Sequence, residues 1–225
     1  MKNIVLFLQN RATRAGAQTS LARLVADDAV RMLSPVVLIG SEGWLDRWCS
    51  DRGIPSLIRV FPRSRSLPAR LWGNRRFARA VARLLADRDW QPRVVIANDH
   101  QDGLLAQAIA TTCGARTVVI LRTPGMSRRD FFKYAGDQAD MLYAVGDELR
   151  QTAADWLAGK PVALYREGVA EEEFLPPKAR SSRFPVRVLI AGSEVARKGW
   201  ADWVTALDSI EAAQTDFQLD CDFTG

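Results

Sequence analysis

Short apolar runs alternate along this chain with longer amphipathic stretches. Each run is short enough to be a buried strand, whereas the stretches between the runs have apolar residues at helical spacing. Strands that alternate with helices in this way predict an α/β fold built on a doubly wound parallel sheet. The runs are Ile4–Leu8, Val36–Ile39, Val94–Ala97, Thr117–Leu121, Met141–Val145, Val162–Tyr165 and Val186–Ala191, and the clearest helical stretches are Ser20–Met32, Pro68–Ala86 and Gly103–Thr112.

A break in composition after residue 175 predicts the domain organisation. Pro176, Pro177 and Pro185, with two serines between them, are typical of a linker between domains. We therefore expect a first domain at residues 1–176, a linker at 177–185 and the start of a second, truncated domain at 186–225. The last segment has room for only about two strands, and a doubly wound domain needs several.

Composition restricts the class of protein. No run of about 18 apolar residues occurs, so the sequence predicts no membrane span. The apolar run that follows Met1 is too short for a signal peptide and is typical of a strand. The scattered cysteines Cys49, Cys113 and Cys221 favour a reducing cytoplasm over a disulfide framework, and they lack zinc-site spacing, so we expect no metal.

The net charge of +5 comes with a crowd of arginines between Arg63 and Arg88. The segment Pro68–Arg88 predicts an amphipathic basic helix, in which Leu71 and Phe77 are among the apolar residues. Such a helix could rest on an anionic membrane, and the charge alone would also suit nucleic acid or a phosphorylated substrate. The alternative is an ordinary surface helix with its apolar face in the core.

Two loops between a strand and a helix are candidates for binding a diphosphate. Gly16 follows the first strand, and Arg197 and Lys198 follow the run that ends at Ala191. A helix N-terminus offers free amide donors and a favourable dipole to an anion, and the two cations would add their charge. The alternatives are a plain strand-to-helix turn at Gly16 and a solvated basic turn at Lys198.

Two further strand ends bear polar side chains. Asp99 and His100 follow the run that ends at Ala97, and Arg122 follows Leu121. In open α/β sheets, ligands gather at the carboxyl ends of the strands. His100 could therefore shuttle a proton or bind a sugar hydroxyl, and Arg122 could bind a phosphate or carboxylate. The alternatives are a helix cap by Asp99 with an incidental histidine, and a surface arginine.

Four phrases of the sequence, taken in order, resemble glycosyltransferase family 4. Ala15-Gly16-Ala17-Gln18 is similar to the family's glycine-bearing first loop, and Ala139–Leu149 is similar to a phrase that begins Ala-Asp. Glu167–Pro176 resembles Asn-Gly-Val-Asp…Phe…Pro, and Gly192–Gly199 resembles a Gly-Arg…Lys-Gly loop. The resemblance spans nearly the whole chain. It implies the GT-B fold, which has two Rossmann-like domains.

The resemblance also implies roles for particular residues. The donor would lie mainly in the second domain, with Gly16 close to its diphosphate and Lys198 binding it, and Arg197 could compensate for a serine where the family has an arginine. The acceptor would lie in the first domain, where Asp99 and Arg122 are the candidates for binding it. His100 lies near a catalytic histidine of related enzymes.

The function that the resemblance implies is transfer of a sugar from a nucleotide-sugar donor to a glycan or lipid-linked acceptor, with retention, in cell-envelope polysaccharide synthesis. It implies no metal or other cofactor and no nucleic acid. We expect a cytoplasmic location, peripheral to the inner face of an anionic membrane, and little or no activity from these 225 residues alone. The alternative is a noncatalytic GT-B-like binding or scaffold protein, because Gly146, Glu167 and Ser193 depart from the family pattern.

Overall fold

The computed structural model describes residues 1–62, 66–134, 136–157 and 159–168. It also describes the strands Val188–Ala191 and Cys221–Thr224 and the isolated helical positions 202, 205, 206 and 209. The chain divides into two compact units, Met1–Phe174 and Leu175–Gly225. The predicted linker at 177–185 lies outside the described residues.

The first unit is built around a parallel sheet of seven strands. The strands are β1 (Lys2–Gln9), β2 (Pro35–Ile39), β3 (Ser56–Ile58), β4 (Trp90–Ala97), β5 (Arg116–Leu121), β6 (Met141–Ala144) and β7 (Val162–Leu164). Their order across the sheet is β3-β2-β1-β4-β5-β6-β7, and every neighbouring pair is parallel. The predicted α/β, Rossmann-like fold is confirmed.

Helices connect these strands. They are α1 (Gly16–Ala26), α2 (Asp28–Arg31), α3 (Trp44–Asp51), α4 (Leu67–Ala86), α5 (Gly103–Cys113), α6 (Arg128–Lys133) and α7 (Asp147–Trp156), with 3₁₀ turns at His100–Asp102 and Gly136–Gln138. The prediction of a single helix at Ser20–Met32 is wrong, because the helix is interrupted at Asp27. The backbone of Asp27 leaves the helical region, and its carboxylate accepts hydrogen bonds from the amides of Ala29 and Val30, which starts α2.

The sheet separates two apolar layers because successive side chains of a strand point to opposite faces. Leu6 and Leu8 of β1 pack with Val81 of α4 in one layer. Phe7, on the other face of β1, packs with Leu21 of α1 in the second layer. Both faces of the sheet are therefore covered, as a parallel sheet requires.

Helix α4 buries one face and leaves the other in solvent. Phe77, Val81 and Leu85 are buried against the sheet. Leu71 does not belong to this face, because 41% of its surface is exposed. Within the described part of the chain, no helix is both long and apolar enough to cross a bilayer.

The second unit contains a parallel pair of strands. β8 (Val188–Ala191) lies within the run predicted from the sequence, and it pairs with β9 (Cys221–Thr224) in the register Val188–Cys221 to Ala191–Thr224. Parallel neighbours cannot be joined by a tight hairpin and need a crossover connection. The isolated helical positions 202–209 lie in that connection.

A close backbone contact holds the loop after β1 against the end of β2. Gly40 follows β2, and a Cβ atom at Gly40 would overlap the carbonyl oxygen of Asn10. Gly146, at the N-terminus of α7, has no atom within 4 Å of the position a Cβ would take. Since the loop after β1 leads into α1, Gly40 helps to set the position of that helix.

We predict that Gly40→Ala lowers the free energy of unfolding by about 1–3 kcal/mol, the usual cost of forcing extra atoms into a packed site. Gly168→Ala is the matched control and should change stability by only a few tenths of a kcal/mol, because Gly168 is exposed and a Cβ there would meet no atom within 4 Å. Urea denaturation of both variants measures the difference. Equal stability of the two variants would contradict the proposed backbone contact.

Candidate functional site

The candidate site lies at the carboxyl edge of the sheet, where β1 and β4 are neighbours. The strand order reverses at this pair, since β2 and β3 lie on one side of it and β5 to β7 on the other. At such a point the loops leave toward opposite faces of the sheet and open a crevice for ligands. Gly16 begins the helix that follows β1, Asp99 and His100 follow β4, and Arg122 follows β5.

A buried asparagine joins the ends of three strands and the start of one helix at this edge. Asn98, the residue after β4, is fully enclosed. Its amide nitrogen donates to Oε1 of Gln9 at 2.6 Å and to the carbonyl oxygen of Ala17 at 3.0 Å. Its Oδ1 accepts from Nη2 of Arg122 at 2.8 Å. The ends of β1, β4 and β5 and the first turn of α1 are thereby tied together.

The guanidinium of Arg122 is largely occupied by the protein. Its Nε donates to the carbonyl oxygen of Asn98 at 2.7 Å, and its Nη2 donates to Oγ of Ser20 at 3.1 Å. Its Nη1 forms an ion pair with Glu167, which follows β7. The Arg122 side chain is only 7% exposed. The position therefore suits a cation that orders the strand ends, and acceptor binding by Arg122 stays a prediction.

Burial lowers the pKa of Arg122, and the nearby Tyr165 and Asp99 work against this effect. The aromatic ring of Tyr165 lies 5.7 Å from the centre of the guanidinium. Arginine nevertheless stays charged in proteins, so a permanent positive charge lies beneath this edge of the sheet. The charge favours ionised carboxylates close to it.

Asp99 and His100 are adjacent in space as well as in sequence. Oδ1 of Asp99 accepts a hydrogen bond from the amide of Gln101 at 3.0 Å, which caps the 3₁₀ turn. Nδ1 of His100 lies 2.9 Å from the same oxygen, but the two groups are not aligned for a hydrogen bond. The cap by Asp99, which was the alternative interpretation of this segment, is therefore present, and the carboxylate also lies within ion-pair distance of the imidazole.

The two side chains differ in their access to solvent. The Asp99 side chain is 27% exposed, whereas that of His100 is 5% exposed and its ring packs edge-on against Tyr134 at 5.6 Å. Burial raises the pKa of Asp99, but contacts with His100, the Gln101 amide and Arg122 outweigh burial and hold this pKa below its ordinary value. Asp99 thus presents an ionised carboxylate at neutral pH. A catalytic role for His100 stays a prediction.

The start of α1 is open. Gly16 is the first residue of the helix and is exposed, and a Cβ at this position would meet no atom within 4 Å. No side chain caps the helix at Ala15, and its first turn contains no acidic residue. The backbone amides of the first turn are therefore available to a ligand. The diphosphate contact at Gly16 stays a prediction, and this geometry suits it.

The other predicted donor ligands, Arg197 and Lys198, lie outside the described residues. Their roles stay predictions. Within the described part of the chain, no three side chains of histidine, cysteine, aspartate or glutamate gather in an arrangement that could hold a metal ion.

A cleft of about 280 Å³ opens at the same edge, between the loop after β1, helix α4 and the start of α5. Arg11 and Gln101 are exposed at this cleft, and Phe61 and Asn74 are almost completely buried in its wall. Asn74 is only 4% exposed, and it lies in the wall of this cleft. A side-chain amide in a cleft wall offers both donors and an acceptor to a ligand that enters the cleft.

Neither Asn98 nor Asn74 is predicted from the sequence as a functional residue. The sequence does contain a signal for Asn74, because Asn74 is placed at helical spacing before the apolar residues Phe77, Ala78 and Val81. A polar residue therefore occupies the apolar face of α4. The network around Asn98 has no comparable signal, because its partners come from residues 9, 17 and 122, which are far apart in the sequence.

No protein-family model and no curated protein sequence matches this chain. Solved structures do share its fold. A glycosyltransferase from Rickettsia africae matches with a TM-score of 0.61 and 11% identity, over 98% of this chain and 69% of that protein. The lipopolysaccharide outer core galactosyltransferase WaaB matches with a TM-score of 0.61 and 14% identity, over 98% of this chain and 60% of that protein.

HepE from Anabaena, whose structure contains UDP-glucose, matches with a TM-score of 0.55 and 15% identity, over 74% of this chain. The chain spans 44% of the length of HepE. At these identities the likeness concerns the fold, and the fold is α/β of GT-B type.

We predict that Asn98→Ala lowers the free energy of unfolding by about 2–4 kcal/mol, because it removes the acceptor Oδ1 from a buried guanidinium and the donor from Oε1 of Gln9. Asn3→Ala is the matched control, since the Asn3 side chain accepts from Arg93 at 2.9 Å on the surface. That control should cost less than about 1 kcal/mol. Thermal and urea denaturation measure both values. Similar losses in the two variants would contradict a central role for Asn98.

Proposed function

We propose that the protein to which this chain belongs is a glycosyltransferase that moves a sugar from a nucleotide-sugar donor to a glycan or a lipid-linked acceptor. The observation that carries the proposal is the open carboxyl-edge cleft of a GT-B-type fold, a fold shared with HepE, which binds UDP-glucose. Because WaaB acts on the lipopolysaccharide outer core, we also propose a role in cell-envelope polysaccharide synthesis.

The chemistry that we propose at the donor is stabilisation of a departing diphosphate by fixed positive charge. The free amides at the start of α1, around Gly16, would approach the diphosphate. Lys198 and Arg197 would supply full charges, so that no metal is needed. Retention of the configuration at the sugar belongs to the same proposal and rests on the resemblance to glycosyltransferase family 4.

On the acceptor side, we propose that Asp99 binds a sugar hydroxyl. Its partly exposed carboxylate is ionised at neutral pH and can accept a hydrogen bond. His100 lies directly behind it and would hold its position or relay a proton through it. Arg122 would act indirectly, by holding the strand ends in position. Asn74 would donate a hydrogen bond to the acceptor in the cleft.

One observation favours a noncatalytic GT-B-like binding protein as the second candidate. Glu167 occupies the position where the resembled family has asparagine, and it is engaged in an ion pair with Arg122. A binding protein would hold the nucleotide sugar and not release nucleoside diphosphate. The assay described below therefore separates the two candidates.

We further propose a cytoplasmic location at the inner face of the membrane. A lipid-linked acceptor would be available at that surface. The basic helix α4 would provide a peripheral contact with anionic lipid, since its outer face carries several arginines.

The test of the donor chemistry uses the full-length protein and a panel of UDP-, GDP- and ADP-sugars. Release of nucleoside diphosphate in the presence of cell-envelope glycans is the readout. We predict that Lys198→Ala lowers turnover by roughly 10²-fold or more, the scale seen for electrostatic stabilisers. Lys2→Ala, at the opposite edge of the sheet, is the control and should leave turnover unchanged. A loss of less than about threefold in Lys198→Ala would remove Lys198 from the mechanism.

The test of the cleft is Asn74→Leu, which removes the amide and keeps a similar volume. We predict a rise of at least about tenfold in the KM for the acceptor, an unchanged KM for the donor and a loss of stability below about 1.5 kcal/mol, because a side chain of similar volume keeps the packing of α4. Thr117→Val is the matched control, since Oγ1 of Thr117 is buried, has no partner among the described residues and lies away from the cleft. A loss of stability in Asn74→Leu with an unchanged acceptor KM would assign Asn74 a structural role.

A further inference from the structure

Arginines line two separate walls of the cleft at the carboxyl edge of the sheet. Arg11 belongs to the loop after β1, and Arg70 belongs to the first turn of α4. Among the described residues that line the cleft, Asp102 is the one acidic residue, and it is only 7% exposed. Two positive charges therefore meet one negative charge, and the described lining of the cleft is basic. We call Arg11 and Arg70 the arginine pair.

The side chain of Arg11 has no carboxylate partner in the described part of the chain. It is exposed at the cleft, whereas the backbone that carries it is held in place. The carbonyl oxygen of Arg11 accepts a hydrogen bond from Nε2 of Gln18 at 3.3 Å, and that of Ala12 accepts one from the amide of Leu45 at 3.0 Å. The loop thus presents a positive charge from a fixed position, which lowers the entropy cost of binding an anion.

The side chain of Arg70 packs on an aromatic ring of the cleft. The centre of its guanidinium lies 5.4 Å from the centre of the Tyr134 ring. An arginine that rests on an aromatic ring is oriented by it and can still present N–H groups to a carboxylate or phosphate. Nζ of Lys133 lies 5.1 Å from the same ring. Two like charges beside one ring repel each other, and an anion bound next to them would relieve this repulsion.

We propose that the cleft selects an acidic acceptor, a sugar that carries a phosphate or carboxylate group, and that the arginine pair binds the acidic group. A guanidinium donates two parallel hydrogen bonds to either group, which provides orientation as well as affinity. Asp99, at the same edge of the sheet, would bind a hydroxyl group of the same sugar. Two contacts of opposite charge fix the direction in which the sugar lies. This inference rests on the proposed glycosyltransferase function and names the class of its acceptor.

The diphosphate of the donor is the other anion that the arginine pair would suit. The location of the cleft favours the acceptor, because Arg70 belongs to α4, which packs on one face of the sheet, whereas α1 packs on the other. Gly16, where the diphosphate contact is predicted, does not line the cleft. A volume of about 280 Å³ lies just below the usual range for drug-sized ligands and suits a single sugar unit.

The first experiment measures binding of acidic sugars to the full-length protein by isothermal titration calorimetry, without donor. The probes are glucose 6-phosphate and glucuronate, and their neutral counterparts are glucose and glucuronamide. We expect each acid to bind at least about tenfold more tightly than its neutral counterpart, the scale of one charge-assisted hydrogen bond. The difference should shrink as salt rises. Equal binding of acids and neutral sugars, or failure of both acids to bind at millimolar concentration, would overturn the proposal.

The second experiment repeats these titrations on variants of the arginine pair. Arg11→Gln should weaken binding of both acids by about tenfold and leave the neutral sugars and the melting temperature unchanged, since this side chain is exposed. Arg70→Lys keeps the charge but loses the planar fork of donors, so we expect a loss of a few fold. Arg47→Gln is the matched control, because Arg47 is exposed on α3, which packs on the opposite face of the sheet. Equal losses in Arg11→Gln and Arg47→Gln would refute selection by the arginine pair, because binding would then follow net charge.

The third experiment separates the acceptor from the donor. We expect saturating UDP to leave the affinity for glucose 6-phosphate unchanged. Displacement of the sugar phosphate by UDP, with weaker UDP binding in Arg11→Gln, would assign the arginine pair to the donor and overturn the proposal.

Release of nucleoside diphosphate distinguishes failure of this inference from failure of the proposed function. Release with neutral glycans and not with acidic ones would overturn the acidic acceptor and leave the glycosyltransferase standing. Binding of acidic sugars without release from any donor would remove the glycosyltransferase function and, with it, the assignment of the acid as an acceptor.

Discussion

The carboxyl edge of the sheet depends on the hydrogen bonds between Asn98 and Arg122. A guanidinium that is buried away from water must keep its hydrogen-bond partners, because the loss of a partner leaves a buried charge unpaired in a medium of low dielectric constant. Arg122 is 7% exposed, and its partners come from the end of β4, from α1 and from the segment after β7. One buried charge therefore sets the relative positions of the loops that form the candidate site. The same strand end continues into the 3₁₀ turn of His100–Asp102, which lines the cleft.

The electrostatics of this edge suit a ligand with both hydroxyl and anionic groups. The open first turn of α1 offers amides to an anion, whereas Asp99 offers an ionised carboxylate to hydroxyl groups. Helix α4 connects this region to the surface. Its inner face contributes Asn74 to the cleft, and its outer face carries the exposed residues Arg75, Arg76 and Arg79. A lipid-linked acceptor held in the cleft would therefore lie on the same helix that we propose to face the membrane.

Most of the elements could be predicted from the sequence because their signals are local. The apolar run Ile4–Leu8 lies within β1, and the amphipathic stretch Pro68–Ala86 lies within α4. The third strand was missed, since Ser56–Ile58 has only three residues and a single buried side chain, Leu57. The break at Asp27 was missed because the apolar pattern continues across it, while the carboxylate cap that starts α2 depends on backbone angles.

The sequence by itself determined that the chain alternates strands with helices, that polar residues follow the strands and that one helix is rich in arginine. These features follow from local spacing, and local spacing is enough to select a parallel sheet. Only the tertiary structure decided which polar residues meet. It placed Arg122 against Asn98, put Asn74 in the wall of a cleft and exposed Leu71 and Trp72 beside the arginines. Burial and partnership depend on segments far apart in the chain, so the spacing of residues within one segment carries no information about them.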